Sequence, residues 1–137
     1  MRKDIFNYEL TVTLKDINMY GTVYFARYFE WQGVCRELYF TTLENYQAVF
    51  NDIALVTKYA WNDYKKQIHV FDQILIRVQN RNIKKTSFEM MFTYINKKSG
   101  EIVSIGGETL IFMNSKGNIL RIPDGIIKVI KNHPYVE

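Results

Sequence analysis

The stretch that decides the fold runs over residues 16–40: Asp16-Ile17-Asn18-Met19-Tyr20-Gly21-Thr22-Val23-Tyr24-Phe25, then Ala26-Arg27-Tyr28-Phe29-Glu30-Trp31-Gln32-Gly33-Val34-Cys35-Arg36-Glu37-Leu38-Tyr39-Phe40. Its first part is a polar loop with one glycine, and its second part has the period of an amphipathic helix. No other segment keeps a helical period over such a length. The rest of the chain mostly alternates between apolar and polar residues, as strands do. The sequence therefore predicts one long helix packed on a sheet.

The predicted helix extends from Val23 to about Leu43, and one of its stripes is apolar. The stripe holds Phe25, Tyr28, Phe29, Tyr39, Phe40 and Leu43. Gln32 and Arg36 lie within this stripe, where core packing does not explain them. A guanidinium in such a place needs a carboxylate, a carbonyl or a bound anion. Two explanations stay open for Arg36 and Gln32: a structural pair with a neighbouring strand or subunit, or a part in catalysis.

Alternating segments outside the helix predict a sheet. They are Ile5–Leu14, Ile53–Tyr64, Phe71–Val78, Ser87–Asn96, Glu101–Met113 and Ile119–Ile122. Gly106-Gly107 within one of them indicates a bulge or a close backbone approach. Pro123 opens a second, short helix at Asp124–Lys131. The pattern predicts a single α+β domain over residues 1–137, with a curved antiparallel sheet of five to six strands wrapped around one helix.

Composition excludes several classes of protein. The chain is 47% hydrophobic and 23% charged over 137 residues, which is ordinary for a globular domain. Its net charge of +4 comes from scattered lysines and arginines, without a nucleic-acid-binding module. No run reaches the roughly 18 apolar residues of a membrane span, and no signal peptide is apparent. The single cysteine fits a reducing compartment, so we expect a cytoplasmic protein that binds neither nucleic acid nor membrane.

Familiar catalytic centres are absent from the sequence. There is no Gly-x-Ser-x-Gly elbow and no glycine-rich phosphate loop. Cys35 lies on the flank of the helix stripe, which predicts a buried and inert thiol. His69 and His133 are predicted to be ordinary surface or edge histidines. Their spacing gives no set of metal ligands.

The junction of loop and helix is the remaining candidate site. A helix start presents unpaired N–H groups and a positive dipole end, which suit a carbonyl oxygen that gains negative charge. These amides belong to Val23, Tyr24 and Phe25, which form the predicted oxyanion hole. Asp16 and Asn18 lie just upstream and point the same way if the loop is extended. Alternatively, both are turn residues that bond to their own backbone.

These residues carry a resemblance to a known family. The loop, the helix opening and Tyr28 resemble the hotdog-fold acyl thioesterases related to 4-hydroxybenzoyl-CoA thioesterase. That pattern is Asp-x-Asp, two residues, Gly, then Val-Tyr or Val-Trp. The run from Trp31 to Glu37 is closer still to the thioesterases of enediyne polyketide pathways. The terminal sheet fits the same outline, so the resemblance covers nearly the whole chain.

The resemblance implies a hotdog fold, dimers with active sites at the subunit interface, and a dimer of dimers. It implies no metal and no cofactor. The implied substrate is an acyl thioester whose arm enters between subunits, carried on CoA or on an acyl carrier protein or polyketide synthase. The mild positive charge favours the acidic carrier protein. Gly21, Tyr28 and Gln32 are the predicted substrate-binding residues.

The chain departs from the family at one position, because the second acidic residue of the pattern is Asn18. An amide is no general base, but it orients water or donates to an oxyanion. The enediyne branch also lacks this carboxylate, which implies catalysis by Asn18 and Arg36 with an ordered water. If the product is a β-keto acid, it can then lose CO2, with or without help from Arg36. Asp16 is the reserve base, followed by Glu30.

Two other functions remain open. A hotdog hydratase or dehydratase needs a histidine and an acid in one site, and His69 has no recognisable motif around it. A non-catalytic acyl-thioester-binding protein would keep the slot without the chemistry, and Asn18 is compatible with that function.

Overall fold

A computed structural model describes residues 5–136. In this range the strands are β1 (Phe6–Thr11), β2 (Ala54–Tyr64), β3 (Gln73–Arg81), β4 (Ser87–Asn96), β5 (Ile102–Met113) and β6 (Ile119–Leu120). The α-helices are α1 (Phe25–Phe40), α2 (Tyr46–Val49) and α3 (Asp124–Lys131), and a 3-10 turn covers Leu14–Asp16. No helix within these residues is long and apolar enough to cross a membrane.

All strand pairs of the sheet are antiparallel. Their order is β1-β3-β4-β5-β2, with β6 beside β5. The core joins buried α1 side chains to buried residues of β3, β4 and β5, among them Ile76, Phe92 and Leu110. The predicted α+β arrangement of one long helix on one antiparallel sheet is confirmed, with six strands.

The face that α1 buries differs from the predicted stripe. Its buried residues are Tyr28, Trp31, Gln32, Cys35, Tyr39 and Phe40. Phe25, predicted to face the core, is 58% exposed because it is the first helical residue and lies beside the cleft described below. Cys35 is fully buried, as predicted, and burial raises the pKa of its thiol to about 12, which disfavours the reactive thiolate.

Several predicted boundaries shift by a few residues. The first strand ends at Thr11, and α1 is shorter than the predicted Val23–Leu43. β3 begins at Gln73 because Phe71 has a φ of 71° in the preceding turn, which a strand does not allow. The short helix Asp124–Lys131 lies where it was predicted.

His133 is buried, although the sequence predicted a surface or edge histidine. It is 9% exposed, and its Nδ1 lies 2.7 Å from the Tyr39 hydroxyl oxygen. The Asn80 amide donates to the same hydroxyl at 3.2 Å, and the Asn80 N–H donates to the His133 carbonyl at 2.7 Å. The sequence gives no sign of this network, which ties the segment after α3 to α1 and β3.

Gly106 and Gly107 allow close approach on both faces of β5. A Cβ on Gly106 would lie 2.4 Å from Gln32 Nε2 and 2.3 Å from Asn62 Oδ1. A Cβ on Gly107 would lie 2.5 Å from Trp61 Nε1 on the other face. The close backbone approach predicted from the Gly-Gly pair is confirmed, and it brings β2 and α1 against β5.

We expect Gly106→Ala to destabilise the protein by about 1–3 kcal/mol, because the new methyl group overpacks the interior against two amides. Gly125→Ala is the matched control, since the space around Gly125 is open to 4.0 Å and α3 gains a better helix former. Urea denaturation of both variants measures the effect. Equal stability of Gly106→Ala and wild type would contradict this packing.

Candidate active site

A cleft of about 280 Å³ lies at the N-terminus of α1, between the helix start and the end of β2. Phe25, Tyr28 and Tyr64 form aromatic walls, and Lys65 and Lys66 lie at its edge. The rings of Tyr28 and Tyr64 meet edge to face at 4.8 Å. Burial raises the pKa of Tyr28 to about 12, so its phenol stays protonated at neutral pH. The predicted substrate-binding residue Tyr28 therefore lies in the wall of a cleft suited to an apolar chain.

Asn18 closes the tight turn that precedes the cleft. Its Nδ2 donates to the Thr22 hydroxyl at 3.0 Å, and its Oδ1 accepts from the Tyr20 N–H at 2.9 Å. Gly21 has a φ of 81°, a conformation that favours glycine. The turn role that the sequence left open is the observed one, and through it Asn18 places Thr22 in the cleft wall. Gly21 shapes this turn and is not among the residues that line the cleft.

Two of the three N–H groups predicted to form the oxyanion hole already donate hydrogen bonds to backbone carbonyls. The Val23 N–H donates to the Ile68 carbonyl at 2.9 Å, and the Tyr24 N–H donates to the Asp16 carbonyl at 2.9 Å. The prediction is therefore corrected for Val23 and Tyr24, whose N–H groups tie the helix start to the segment before β3 and to the 3-10 turn of the same chain. Phe25 and Ala26 are the first residues of α1, where a helix supplies no acceptor for the N–H groups. They are the remaining candidates for an oxyanion hole.

Asp16 is buried in the 3-10 turn, with 3% of its surface exposed. Its carboxylate accepts the Thr13 N–H at 2.9 Å and the Thr13 hydroxyl at 3.3 Å, in a capping box. Arg27 Nε lies 3.9 Å away and also reaches Glu30 through Nη1, at 2.6 Å. The contacts of Asp16 are those of a structural residue. Glu30, the third candidate base, is exposed and paired on the outer side of α1.

Arg36 lies away from the cleft in its own chain. It comes eleven residues after Phe25, which is about 16 Å along the helix axis at 1.5 Å per residue. Its Nη1 lies 3.0 Å from Glu108 Oε1 on β5 and bonds the Thr57 hydroxyl on β2. This ion pair is the structural partner that the sequence left as one of two explanations for Arg36. One chain does not bring Asn18 and Arg36 together.

Glu108 is the residue that sequence analysis missed. Only 6% of its side chain is exposed, and Thr57 donates to it at 3.3 Å. Burial raises the pKa of Glu108, and the charge and hydrogen bond of Arg36 and the hydroxyl of Thr57 partly oppose that rise. Strand alternation could have revealed it, because residues two apart point to the same face of a strand. Glu108 therefore faces inward together with the buried Leu110 and Phe112.

Gln32 lies in the interior beside this pair. It is fully buried, and its Nε2 donates to Asn62 Oδ1 at 3.4 Å. Gln32 Oε1 has no hydrogen-bond partner among residues 5–136. Gln32 does not line the cleft. Its contact with Asn62 on β2 instead matches the structural pair that the sequence left open. No group of three or more His, Cys, Asp or Glu side chains in the described range is arranged to hold a metal ion.

Comparison with known proteins identifies the family. Residues 12–130 match the thioesterase-like superfamily. The chain belongs to this superfamily. Its structure is similar to that of the dynemicin thioesterase, with a TM-score of 0.88 and 25% identity over 98% of this chain and 100% of that chain. The predicted hotdog thioesterase fold is confirmed.

Two further solved structures share the fold of this superfamily member. The 1,4-dihydroxy-2-naphthoyl-CoA thioesterase Slr0204 from Synechocystis has a TM-score of 0.81 and 20% identity, over 95% of this chain and 99% of that chain. The hypothetical protein SAV2348 from Staphylococcus aureus, in complex with CoA, has a TM-score of 0.87 and 15% identity, over 100% of this chain and 90% of that chain. No curated protein matches the sequence.

The buried Glu108 predicts an unusual dependence of stability on pH. Its folded pKa lies above its ordinary value of 4.5, so the folded state binds the proton more tightly than the unfolded chain. The stability contributed by Glu108 is thus fully present below pH 4.5 and is lost as pH rises through the folded pKa. Denaturation of wild type and Glu108→Gln across pH should show their free-energy difference falling over that window. A difference that rises there would contradict the raised pKa.

Proposed function

We propose that this protein hydrolyses acyl thioesters, with a β-keto polyketide or polyene acyl group carried on an acyl carrier protein or CoA. The observation that carries the proposal is the aromatic cleft at the start of α1, where the Phe25 and Ala26 amides face no helical acceptor. Membership of the thioesterase-like superfamily supports the reaction class. Full-length similarity to a thioesterase whose crystal structures reveal effects of polyene binding supports an extended, unsaturated acyl group.

In the proposed reaction the acyl chain lies along Phe25, Tyr28 and Tyr64. The first amides of α1 donate to the thioester oxygen and stabilise the negative charge of the tetrahedral intermediate. A water molecule forms the new C–O bond, and the C–S bond breaks to give an acid and a thiol. Because a thiol has a pKa of about 8.5, its thiolate leaves readily and takes up the proton released by the water. This lowers the demand for a carboxylate base.

Asn18 and Arg36 are the proposed catalytic side chains. Asn18 orients the attacking water beside Thr22, whose hydroxyl it holds. Arg36 stabilises developing negative charge, and it promotes loss of CO2 when the product is a β-keto acid. Asp16 remains the reserve base, although its present hydrogen bonds hold the 3-10 turn.

A second copy of the chain is needed to bring Arg36 near the cleft. β2 is an eleven-residue edge strand with exposed residues along its middle, and such an edge readily pairs with another strand. Thr57, the β2 contact of Arg36, lies seven residues from Tyr64, about 23 Å along a strand. Antiparallel pairing centred on Tyr59 would place Thr57 of the partner subunit opposite Trp61. That position is three residues, or about 10 Å, from Tyr64.

We therefore propose a dimer joined edge to edge at β2, in which Arg36 of the partner subunit serves each cleft. Two dimers then associate into a tetramer, as the family resemblance implies.

We expect Asn18→Ala and Arg36→Ala each to lower kcat by about 100-fold, because Asn18 positions the attacking water and Arg36 stabilises the developing negative charge. Asn51→Ala and Arg77→Ala are the matched controls and should keep the wild-type rate. Asn51 lies in the exposed turn before β2 and Arg77 lies on β3, and neither lines the cleft. Hydrolysis of acyl-CoA and acyl-carrier-protein thioesters measures the rates.

Unchanged rates in both Asn18→Ala and Arg36→Ala would overturn the proposed mechanism. Asp16→Asn keeps an oxygen that accepts from Thr13, so we expect it to retain activity. A dead Asp16→Asn enzyme with normal thermal stability would instead identify Asp16 as the base.

A second candidate function is acyl-thioester binding without turnover. It is favoured by the hydrogen bonds that already hold both amide atoms of Asn18 and the carboxylate of Asp16 within the loop. Saturable binding of an acyl thioester without product release would support it. A hydratase or dehydratase would depend on His69, which forms an isolated bridge with Thr22 and lies 3.9 Å from Asp72. Assays with crotonyl thioesters test that reaction.

The proposed dimer predicts that Tyr59→Lys weakens subunit association. Tyr59 is 60% exposed at the middle of β2, where pairing about a two-fold axis would bring the two introduced charges together. Light scattering across protein concentration should show a shift towards monomer. Tyr46→Lys on α2 is the matched control and should leave the mass unchanged. A wild-type monomer at every concentration would refute the edge-paired dimer.

A further inference from the structure

A basic groove lies between the β3–β4 connection and α3. Its volume is about 480 Å³, and its charged residues are Lys84, Lys85, Arg121, Lys131 and Asp124. Four cations and one carboxylate leave a local charge of +3. The half-buried Ile83 and Ile127 also line the groove and give it an apolar component.

The positive charge of this groove is not neutralised within the described chain. None of its four cations lies within 4.0 Å of a carboxylate among residues 5–136. Elsewhere Lys65, Lys66 and Lys97 each pair with an acidic side chain. A cluster of positive side chains without ion-pair partners attracts a negatively charged partner and speeds its association.

We propose that this groove docks an acidic helix of the acyl carrier protein that delivers the thioester. The proposal rests on the proposed thioesterase function and names its partner surface. Carboxylates along such a helix meet the lysines and arginine, and an apolar side chain of the helix packs on Ile83 and Ile127. A phosphate group alone would use the cations but would not cover the exposed part of Ile83 and Ile127, whose other side packs on the core.

The position of the groove suits delivery to the partner subunit's cleft. Ser87 and Val56 both pair with Ile111, so the β3–β4 connection lies towards the first half of β2. The cleft lies at the other end, where Tyr64 pairs with Ser104. Antiparallel pairing of two β2 edges reverses the ends of one copy relative to the other. The groove of one subunit then lies at the same end of the joined sheet as the cleft of its partner.

Binding of an apo-acyl carrier protein, which lacks the phosphopantetheine arm, tests the surface directly. We expect the double variant Lys84→Glu/Lys131→Glu to raise Kd at least about tenfold, equivalent to about 1.4 kcal/mol. The control Lys98→Glu/Lys128→Glu makes the same change in net charge outside the groove and should stay within about twofold of wild type. The difference between the two variants should shrink as salt screens the charges.

Kinetics separate docking from chemistry. For an acyl-carrier-protein substrate the double variant should raise KM about tenfold with kcat unchanged, while KM for the acyl-N-acetylcysteamine thioester stays that of wild type. Equal binding of apo carrier by the double variant and wild type, in folded protein, would overturn the docking proposal. A matching rise in KM for acyl-CoA with unchanged carrier binding would also overturn it, by assigning the groove to phosphate. Carrier binding that depends on these lysines without any thioester hydrolysis would refute the proposed function and leave the docking surface standing.

Discussion

The packing of α1 against the inner face of the sheet is the constraint on which the rest of the structure depends. This contact buries the large side chains of the helix against β3, β4 and β5, and burial of apolar surface is the dominant favourable term in folding. Two polar residues, Gln32 and Arg36, are buried or half-buried within the same contact. Each needs a polar partner from the strands, and Asn62, Thr57 and Glu108 supply them. The helix can therefore pack in one orientation relative to β2 and β5.

The conformation of the loop before the helix is fixed by hydrogen bonds more than by apolar burial. Asp16 closes the 3-10 turn, Asn18 closes the next turn, and the Val23 amide bonds to Ile68. These contacts hold the start of α1 beside the end of β2, and so create the cleft between them. The same residues that a sequence pattern marks as catalytic thus have a structural task. A buried or bonded polar group performs both tasks only if its remaining hydrogen-bonding capacity faces the substrate.

Much of the fold was predictable from the sequence. The period of residues 23–43 and the alternation of the later segments predicted one long helix and an antiparallel sheet, and the Gly106-Gly107 pair marked a close approach. The face of α1 was predicted less well, because aromatic residues occur on several sides of the helix. Phe25 is apolar but exposed, whereas Trp31 is buried. The surface or edge position predicted for His133 is wrong, because nothing in the local sequence reports that Tyr39 and Asn80 converge on it.

The sequence by itself determined the element types, the loop–helix junction and the need of Arg36 for an acceptor, whether a carboxylate, a carbonyl or a bound anion, since these follow from local periodicity and the cost of burying charge. Only the tertiary structure decided that the acceptor is Glu108, that the Val23 and Tyr24 amides are already bonded, and that Arg36 lies far from Asn18 within one chain. These outcomes depend on which strand residues meet the helix and on how far along its axis they meet. Such distances between remote residues are set by the register of the sheet, which no local pattern specifies.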